Sequence, residues 1–493
     1  MPRSAYALPP PLAGYPTLGN ERRRAWVVFV SVDRGCGDSA ARRYHEQTKH
    51  APQRLSASRY GLDWHNEPHP FKRYPNLEPE RPPAELDRLL RLGAGVHPRR
   101  GDPRFRTFMS AGALHPVELY LATASGVSHF HPGEGTLRRL RDEDARAALA
   151  HAAAEPDLAR AAAVLGLTGI LWRTSWKYGA RGWRHLFWDA GAMLANLLVL
   201  AAEAGLDPRL LTAFVDQDTA DALGVDPPRE APVALLAVGR ATPASGPQRL
   251  GPVEHDTPPL SRRERRFPEA EEAQAGSALA TADEVRAWRQ AAARFPNGTR
   301  SPSLHGSSGG DELPGPLAET IIRRGSARDF TSEPVASNEL DASLASACAA
   351  VPGDLPSLCS TFVIAHAVDG LEPGAYRLEP GDRFELLHDR VSRRRTAHLC
   401  LDQPHGGNAA AVIFFTSDLD RVLSELGDRG YRAAQLDAGI RAGRTSLAAY
   451  ARGLGATGLT FYDDEVRDHL GTNEEPMMCV AVGVDAHRPR MRR

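Results

Sequence analysis

The chain has 493 residues, room for two or three domains of ordinary size. With 42% hydrophobic and 25% charged residues it can bury normal cores, which excludes a globally disordered chain. Sixty Lys and Arg against 61 Asp and Glu leave a net charge of −1, so neither nucleic acid nor an anionic membrane is an expected partner.

Residues 1–40 are rich in Pro, Gly and Arg and read as a loosely ordered N-terminal arm. The apolar run at 26–32 is far shorter than the roughly 18–20 residues of a membrane span. It follows Glu21-Arg22-Arg23-Arg24 and lacks a small-residue cleavage site, so a signal peptide is not expected and the expected setting is cytoplasmic. Cys36, Cys348, Cys359, Cys400 and Cys479 form an odd, scattered set without CxxC spacing, which disfavours structural zinc and a disulfide framework.

Residues 41–242 and 316–493 read as two copies of one α+β domain. In the first copy, strands are expected at 117–123, 170–174 and 233–238, with a long buried helix over 189–204. In the second, strands are expected at 361–368, 410–416 and 477–482, with a helix over 431–452. Between them, 243–315 is dense in Pro, Gly, Ser and charge and reads as a linker with one helical stretch at 281–295.

Internal similarity carries the two-copy reading. Arg181-Gly182-Trp183-Arg184 recurs as Arg429-Gly430-Tyr431-Arg432, 248 positions later. The same offset carries Asp189-Ala190-Gly191 onto Asp437-Ala438-Gly439 and Gly205-Leu206 onto Gly453-Leu454. A repeat this long implies two copies of one fold with pseudo-twofold geometry between them. The small residues of both helices suit close packing at that interface.

Several segments carry candidate chemistry. Arg323-Arg324-Gly325-Ser326-Ala327-Arg328 places guanidinium groups and a hydroxyl where they can grip a phosphate, with the last Arg able to reach an electron-rich ring. A solvated basic turn is the plainer reading. Ser110-Ala111-Gly112-Ala113 is a small-residue turn that lets backbone approach a flat ligand, or simply a tight entry into a strand. Gly453-Leu454-Gly455-Ala456-Thr457-Gly458 follows a helix instead of a strand, so it reads as a helix C-cap that touches a ligand, not as a nucleotide fingerprint. Lys177-Tyr178 offers a general base if a neighbour or burial shifts either group. His129-x-His131 and the His-Pro pair at His115 are the only metal-like hints, and no further ligand stands at sensible spacing, so no metal is expected.

In combination these segments resemble the FMN-dependent nitroreductase superfamily, specifically its SagB-type peptide azoline dehydrogenases. The resemblance rests on Tyr44-His45-Glu46-Gln47-Thr48-Lys49-His50, Phe71-Lys72-Arg73-Tyr74-Pro75, the turn from Ser110, Lys177-Tyr178 through Gly191, the RxSxR pattern at Arg324, Ser326 and Arg328, and the stretches 429–439 and 455–458. It implies two tandem nitroreductase-like domains, each a central mostly antiparallel sheet flanked by helices, that form a pseudo-dimer within one chain.

It further implies FMN at composite sites. Arg324 and Ser326, with Arg323 beside them, would hold the phosphate, and Arg328 would lie near the pyrimidine edge. Gly455, Ala456, Thr457 and Gly458 would run along the ring, while Ser110, Ala111, Gly112 and Ala113 would close the site from the other copy. Arg488 and Arg490, after the last strand, are further phosphate candidates. The first copy shows no RxSxR, with Arg91-Leu92-Gly93-Ala94-Gly95 near its place and Asp207-Pro208-Arg209 at the glycine turn. The second copy has Pro356-Ser357-Leu358-Cys359-Ser360 for the Ser turn and Gly427-Asp428 for Lys-Tyr. One intact and one degenerate FMN site are therefore expected.

The implied reaction is oxidation of a thiazoline or oxazoline in a modified precursor peptide to the azole. Lys177 or Tyr178 would take the Cα proton, the flavin the hydride, and molecular oxygen the electrons. A separate cyclodehydratase would make the azoline, and chains could pair further into a homo-oligomer. An NAD(P)H-dependent nitro- or quinone reductase and a flavin-free scaffold that docks a peptide are the competing expectations.

Overall fold

The computed structural model describes residues 39–57, 61–102, 104–296, 315–379 and 383–487. Two antiparallel sheets organise it. The first half opens with helices α1 (Ala40–Thr48) and α2 (Pro52–Ala57), the short strand β1 (Pro79–Glu80) and α3 (Ala84–Ala94). Strands β2 (Val117–Thr123), β3 (Gly126–His131) and β4 (Thr136–Arg141) follow, then α4 (Arg146–Ala152), β5 (Ala163–Gly169), α5 (Leu171–Tyr178), α6 (Gly182–Glu203), β6 (Arg209–Leu211), α7 (Asp216–Leu223) and β7 (Ala231–Val238). The sheet order is β1-β4-β3-β2-β5-β7-β6.

Two helices follow, α8 (Pro268–Gly276) and α9 (Ala282–Ala292). The second half comprises α10 (Leu317–Arg323), α11 (Ser337–Cys348), β8 (Ser360–Ala365), β9 (Gly374–Glu379), β10 (Arg383–His388), α12 (Arg393–Leu399), α13 (Pro404–Asn408), β11 (Ala411–Ser417), α14 (Leu419–Ala451), β12 (Gly455–Leu459), α15 (Asp463–Leu470) and β13 (Glu475–Gly483). Its sheet order, β10-β9-β8-β11-β13-β12, repeats that of the first half from β4 onward.

The long helices α6 and α14 pack against each other and carry the interface. A Cβ placed on Gly191 would lie 2.4 Å from the Gly439 carbonyl carbon, so the backbones touch. The rings of Trp183 and Tyr431 stack, centroids 5.6 Å apart with 6° between planes. At the start of α6, and just after the Gly427 break within α14, the repeated arginines cross to the other half. Arg181 and Arg184 bind Asp463 at 2.9 and 2.7 Å, and Arg429 and Arg432 bind Asp216 at 2.6 and 2.8 Å. All six side chains are buried, and each carboxylate begins a short helix of the opposite half. The stretch 171–203 is long and apolar enough to cross a membrane by composition, yet 89% of its most apolar window is buried inside the protein.

The fold departs from the sequence expectations at four points. The strand expected at 170–174 is helix α5, and the strand lies just before it at β5. Trp172 and Trp176, four apart, fall on one face of a helix and of a strand alike and both pack against Leu114 and Ile170, so their spacing does not distinguish the two elements. The C-cap expected over 453–458 is confined to its first residue. Gly453 ends the helix with φ +79°, and Gly455 to Gly458 form the edge strand β12 on β13. Arg91 to Ala94 lie on α3, and α3 packs on α6 as α11 packs on α14. The counterpart of RxSxR therefore precedes α3, where Lys72 is bound to Glu230 at 2.6 Å and to the Tyr120 hydroxyl at 2.9 Å. Finally, Gly179 (φ 59°, ψ −146°), ahead of α6, and Gly427 (φ 61°, ψ −163°), within α14, make the same break in the chain. That register sets Glu425-Leu426, not Gly427-Asp428, opposite Lys177-Tyr178.

Candidate functional site

Three segments from both halves meet beside the long helices. After α10, the chain runs through Arg324 to Arg328 along β12, where the Ala327 N–H donates to the Ala456 carbonyl at 3.1 Å. A side chain on Gly455 would collide with Asp485 and Ala327, 2.8 and 3.0 Å from its Cβ position. The small residues of 455–458 are thus what lets the two segments lie together. Arg324 is buried and reaches across the halves, donating from Nε to the Thr107 carbonyl at 3.3 Å and from Nη2 to the Arg106 carbonyl at 3.4 Å. These carbonyls lead directly into the Ser110 turn. The Met109 sulfur lies 3.9 Å from the Cβ position of Gly458, which brings β12 beside that turn.

The turn itself is anchored from α6. Asp189 accepts the Ala111 N–H at 2.9 Å and the Ser110 hydroxyl, while the Ser110 oxygen accepts the His115 N–H at 2.9 Å. Gly112 (φ +63°) and Ala113 (φ +56°) turn the chain back, and Gly112 is exposed. A Cβ on Gly112 would stand 2.8 Å from the Tyr178 hydroxyl and 3.1 Å from Lys177 Nζ. Lys177 and Tyr178, at the end of α5, therefore face the bare backbone of the turn. His185 stacks flat on Tyr178, centroids 4.1 Å apart at 6°. Burial, aided by the Asp189 charge, pushes the Tyr178 phenol well above its usual range, against an opposing pull from Arg328. Burial pushes His185 down to about 3, so its ring is neutral. Arg328, exposed, also acts on half-buried His405 of α13, whose ring burial and this guanidinium hold below the ordinary value.

The expected residues are thus gathered with two exceptions. Arg323 turns its guanidinium onto the last turn of α14, donating to the Tyr450 carbonyl at 2.8 Å. Arg488 and Arg490 lie outside the described residues. Sequence reasoning missed the tasks of Asp189 and His185. Asp189 was visible only as a repeated residue, and nothing at sequence level ties His185 to Tyr178.

The Nitroreductase family description matches the chain twice, over residues 77–240 and 321–484. The chain belongs to the nitroreductase family. A Methanocaldococcus jannaschii protein described as a nitroreductase is 32% identical over 163 residues, 32% of this chain and 79% of its own length. A crystal structure described as a nitroreductase from Anabaena variabilis superposes with a TM-score of 0.74 at 26% identity, covering 92% of this chain and 100% of that one. A chain of the E. coli microcin synthetase McbBCD complex, solved with truncated pro-MccB17 bound, gives a TM-score of 0.30 at 21% identity, over 39% of this chain and 74% of that one.

This tandem nitroreductase builds its second composite position differently. Pro352 to Asp354 of the second half fold directly onto β6. The Leu210 N–H donates to the Pro352 carbonyl at 2.8 Å, and the Asp354 N–H to the Leu210 carbonyl at 3.0 Å. A Cβ on Gly353 (φ +139°) would lie 1.8 Å from the Leu210 oxygen, so only glycine permits the approach. The Asp354 carboxylate accepts the Thr212 and Ala213 N–H groups and binds Arg289 of α9 at 3.2 Å. Arg441 completes the plug, paired with Asp437 at 3.0 Å and bound to the Ser357 hydroxyl at 2.5 Å. Among the described residues no hydrogen bond joins the Ser110 turn to β12 in this way.

Other candidate chemistry is absorbed by structure. His129 is bound to Glu118 at 2.7 Å, and Glu118 to Arg173 at 2.5 Å. His45, Glu46 and Glu475 are close enough to hold a metal, but the Lys49 ammonium already stands 3.0 Å from both carboxylates.

Proposed function

We propose that the chain is an FMN-dependent dehydrogenase that oxidises azolines in a ribosomally made, modified peptide to thiazoles or oxazoles. The observation that carries this reading is the Lys177-Tyr178 pair facing the exposed Gly112 backbone, with Arg328 of the other half within electrostatic reach. Only one half has such a pair.

The residues of this cleft fit FMN. Ser326 has no hydrogen-bond partner and Arg328 no ion pair among the described residues, while Gly455 and Gly458 present bare backbone beside them. Arg324 and Ser326 would take the phosphate, Arg328 would bring positive charge to the ring, and Ser110 to Ala113 would close the other side. When bound, FMN supplies a two-electron acceptor stabilised by nearby positive charge. Tyr178 keeps its proton, because burial and Asp189 oppose the phenolate, so it acts as a hydrogen-bond donor to the substrate. Lys177 is then the group that removes the acidic Cα proton. Aromatisation makes the step downhill, so the protein contributes chiefly orientation and a base. A separate cyclodehydratase would supply the azoline, and molecular oxygen is the final electron acceptor.

The test is released-flavin stoichiometry followed by an azoline-peptide assay. One FMN per chain and azole formation are expected, with the Lys177→Ala, Tyr178→Ala double variant inactive but still yellow. Two FMN per chain would overturn the closed second position, and none after reconstitution would overturn the flavoenzyme reading. Rapid bleaching by NADPH without azoline turnover would replace it with a nicotinamide-dependent reductase.

A further inference from the structure

Both halves anchor the turn before their first long strand with the aspartate of the same repeated motif, yet they balance its charge differently. Asp437 accepts the N–H groups of Leu358 and Cys359 at 2.9 and 3.0 Å, and Arg441, one turn along α14, neutralises it at 3.0 Å. Asp189 accepts the Ser110 hydroxyl and the Ala111 N–H in the same way. One turn along α6 stands Met193, and among the described residues no cation pairs with Asp189. The side chain is buried, 3% exposed. A lone carboxylate beside a cleft with its own neutralised twin in the same molecule is an internal control for what the cation would do.

The charged and titratable groups around it are few. Lys177 and Tyr178 face the turn from α5, His185 lies one turn back on α6 and is neutral, and Arg328 approaches Tyr178 from the second half. None of them offsets Asp189, whose carboxyl burial pushes up to about 7 against the opposing hydrogen bonds from Ser110 and Ala111.

We propose that Asp189 is a positioning residue whose ionisation sets the direction of the Ser110 hydroxyl hydrogen, and with it whether the turn offers its ligand a donor. With Asp189 ionised, the Ser110 O–H donates inward to the carboxylate while its oxygen accepts the His115 N–H, so the cleft sees no donor from Ser110. When Asp189 takes one proton from water, its own O–H donates to the Ser110 oxygen, the Ala111 N–H stays on the other carboxyl oxygen, and the Ser110 hydrogen is released toward the cleft. A ligand rich in carbonyl acceptors, such as the isoalloxazine of FMN, then gains a hydrogen bond, and the cleft loses a negative charge. This inference rests on the FMN reading above and extends it to a proton coupled to cofactor affinity.

The experiment is FMN titration, by quenching of its fluorescence, of flavin-stripped protein from about pH 5.5 to about pH 8.5. The wild-type dissociation constant is expected to weaken about fivefold across this range, the worth of one hydrogen bond. Asp189→Asn mimics the protonated acid, its amide donating to Ser110 and its carbonyl accepting from Ala111, and should bind with the wild type's acid-side affinity at every pH. Ser110→Ala should bind more weakly and keep only the smaller slope that the Asp189 charge gives by itself. A wild-type slope surviving in Asp189→Asn, or no slope in the wild type, overturns the proposal. If FMN does not bind at any pH the cofactor reading fails separately. The Asp189 carboxyl carbon, followed by NMR in the flavin-free protein and assigned by its loss in Asp189→Asn, should then titrate near neutrality. A midpoint in the ordinary carboxylate range overturns the proposal there too.

Discussion

Gly191 and Gly439 stand 248 positions apart in the chain and touch through their backbones, the Cβ position of one 2.4 Å from the carbonyl carbon of the other. Equivalent residues of two copies can meet only on the axis that relates them. Trp183 and Tyr431, again equivalents, stack on the same axis. The pseudo-twofold therefore runs through the crossing of α6 and α14, and each composite position lies off it, drawing on both halves.

Gly191→Ala should strain this crossing, because the new methyl meets main chain and not a side chain that could swing away. A loss of about 3 kcal/mol, the upper end for overpacking, is expected in urea unfolding. Gly61→Ala, with nothing within 4 Å of its Cβ position, should leave stability unchanged.

Asp463→Asn should cost about 3–5 kcal/mol, since it leaves Arg181 and Arg184 buried without their counter-charge. Burial alone would raise the Asp463 carboxyl, but the two guanidiniums outweigh it and hold it well below the usual range. A depressed carboxylate contributes stability that is present above the unfolded value and lost as pH falls through the folded one. Acid unfolding below about pH 4 should thus be steeper in the wild type than in Asp463→Asn.

Lys177 and Tyr178 are expected to separate. Lys177→Ala should reduce azoline oxidation by about 100-fold or more, the ordinary worth of a general base. Tyr178→Phe, which keeps the ring on His185 and removes only a hydroxyl that holds its proton, should lose less. Flavin content measured on both variants should be unchanged.

Ser326→Ala and Arg328→Ala should each weaken FMN binding by about 10-fold or more, as expected for hydrogen bonds to charged groups. Lys72→Met stands at the corresponding place of the first half and should leave FMN affinity intact while lowering stability, because buried Glu230 loses its counter-charge. Equal losses of affinity in Lys72→Met and Arg328→Ala would mean that both halves bind flavin.

The repeat made the two-domain fold legible, because residues on a symmetry axis and residues that cross it are held by the same contacts twice. The Arg-Gly-x-Arg and Asp-Ala-Gly elements proved to be an ion-pair latch and a turn anchor. The Ser110 turn, Arg324 and Lys177-Tyr178 were readable as candidates since each depends on local residue type. Helix α5 was not, because its apolar side chains are few and its one face is defined by Trp172 and Trp176 alone. Nor was the plug at β6 readable, since it depends on where Pro352 to Asp354 land in space. The helix α8 hid in a Pro- and charge-rich stretch whose composition resembles a tether, though Gln274 receives the Trp183 indole N–H at 2.9 Å.

Joining both halves in one polypeptide also changes how the cleft depends on conditions. In a dimer of separate subunits, a cleft shared between partners empties as the protein is diluted. Here Arg324 and the carbonyls that lead into the Ser110 turn meet by intramolecular folding, at an effective concentration set by the connecting chain. The cleft should therefore survive dilution to any level at which the chain stays folded. The same linkage releases the duplicate from equivalence. Once α14 and α6 belong to one molecule, a change such as Arg441 for Met193 alters one position without being copied into the other.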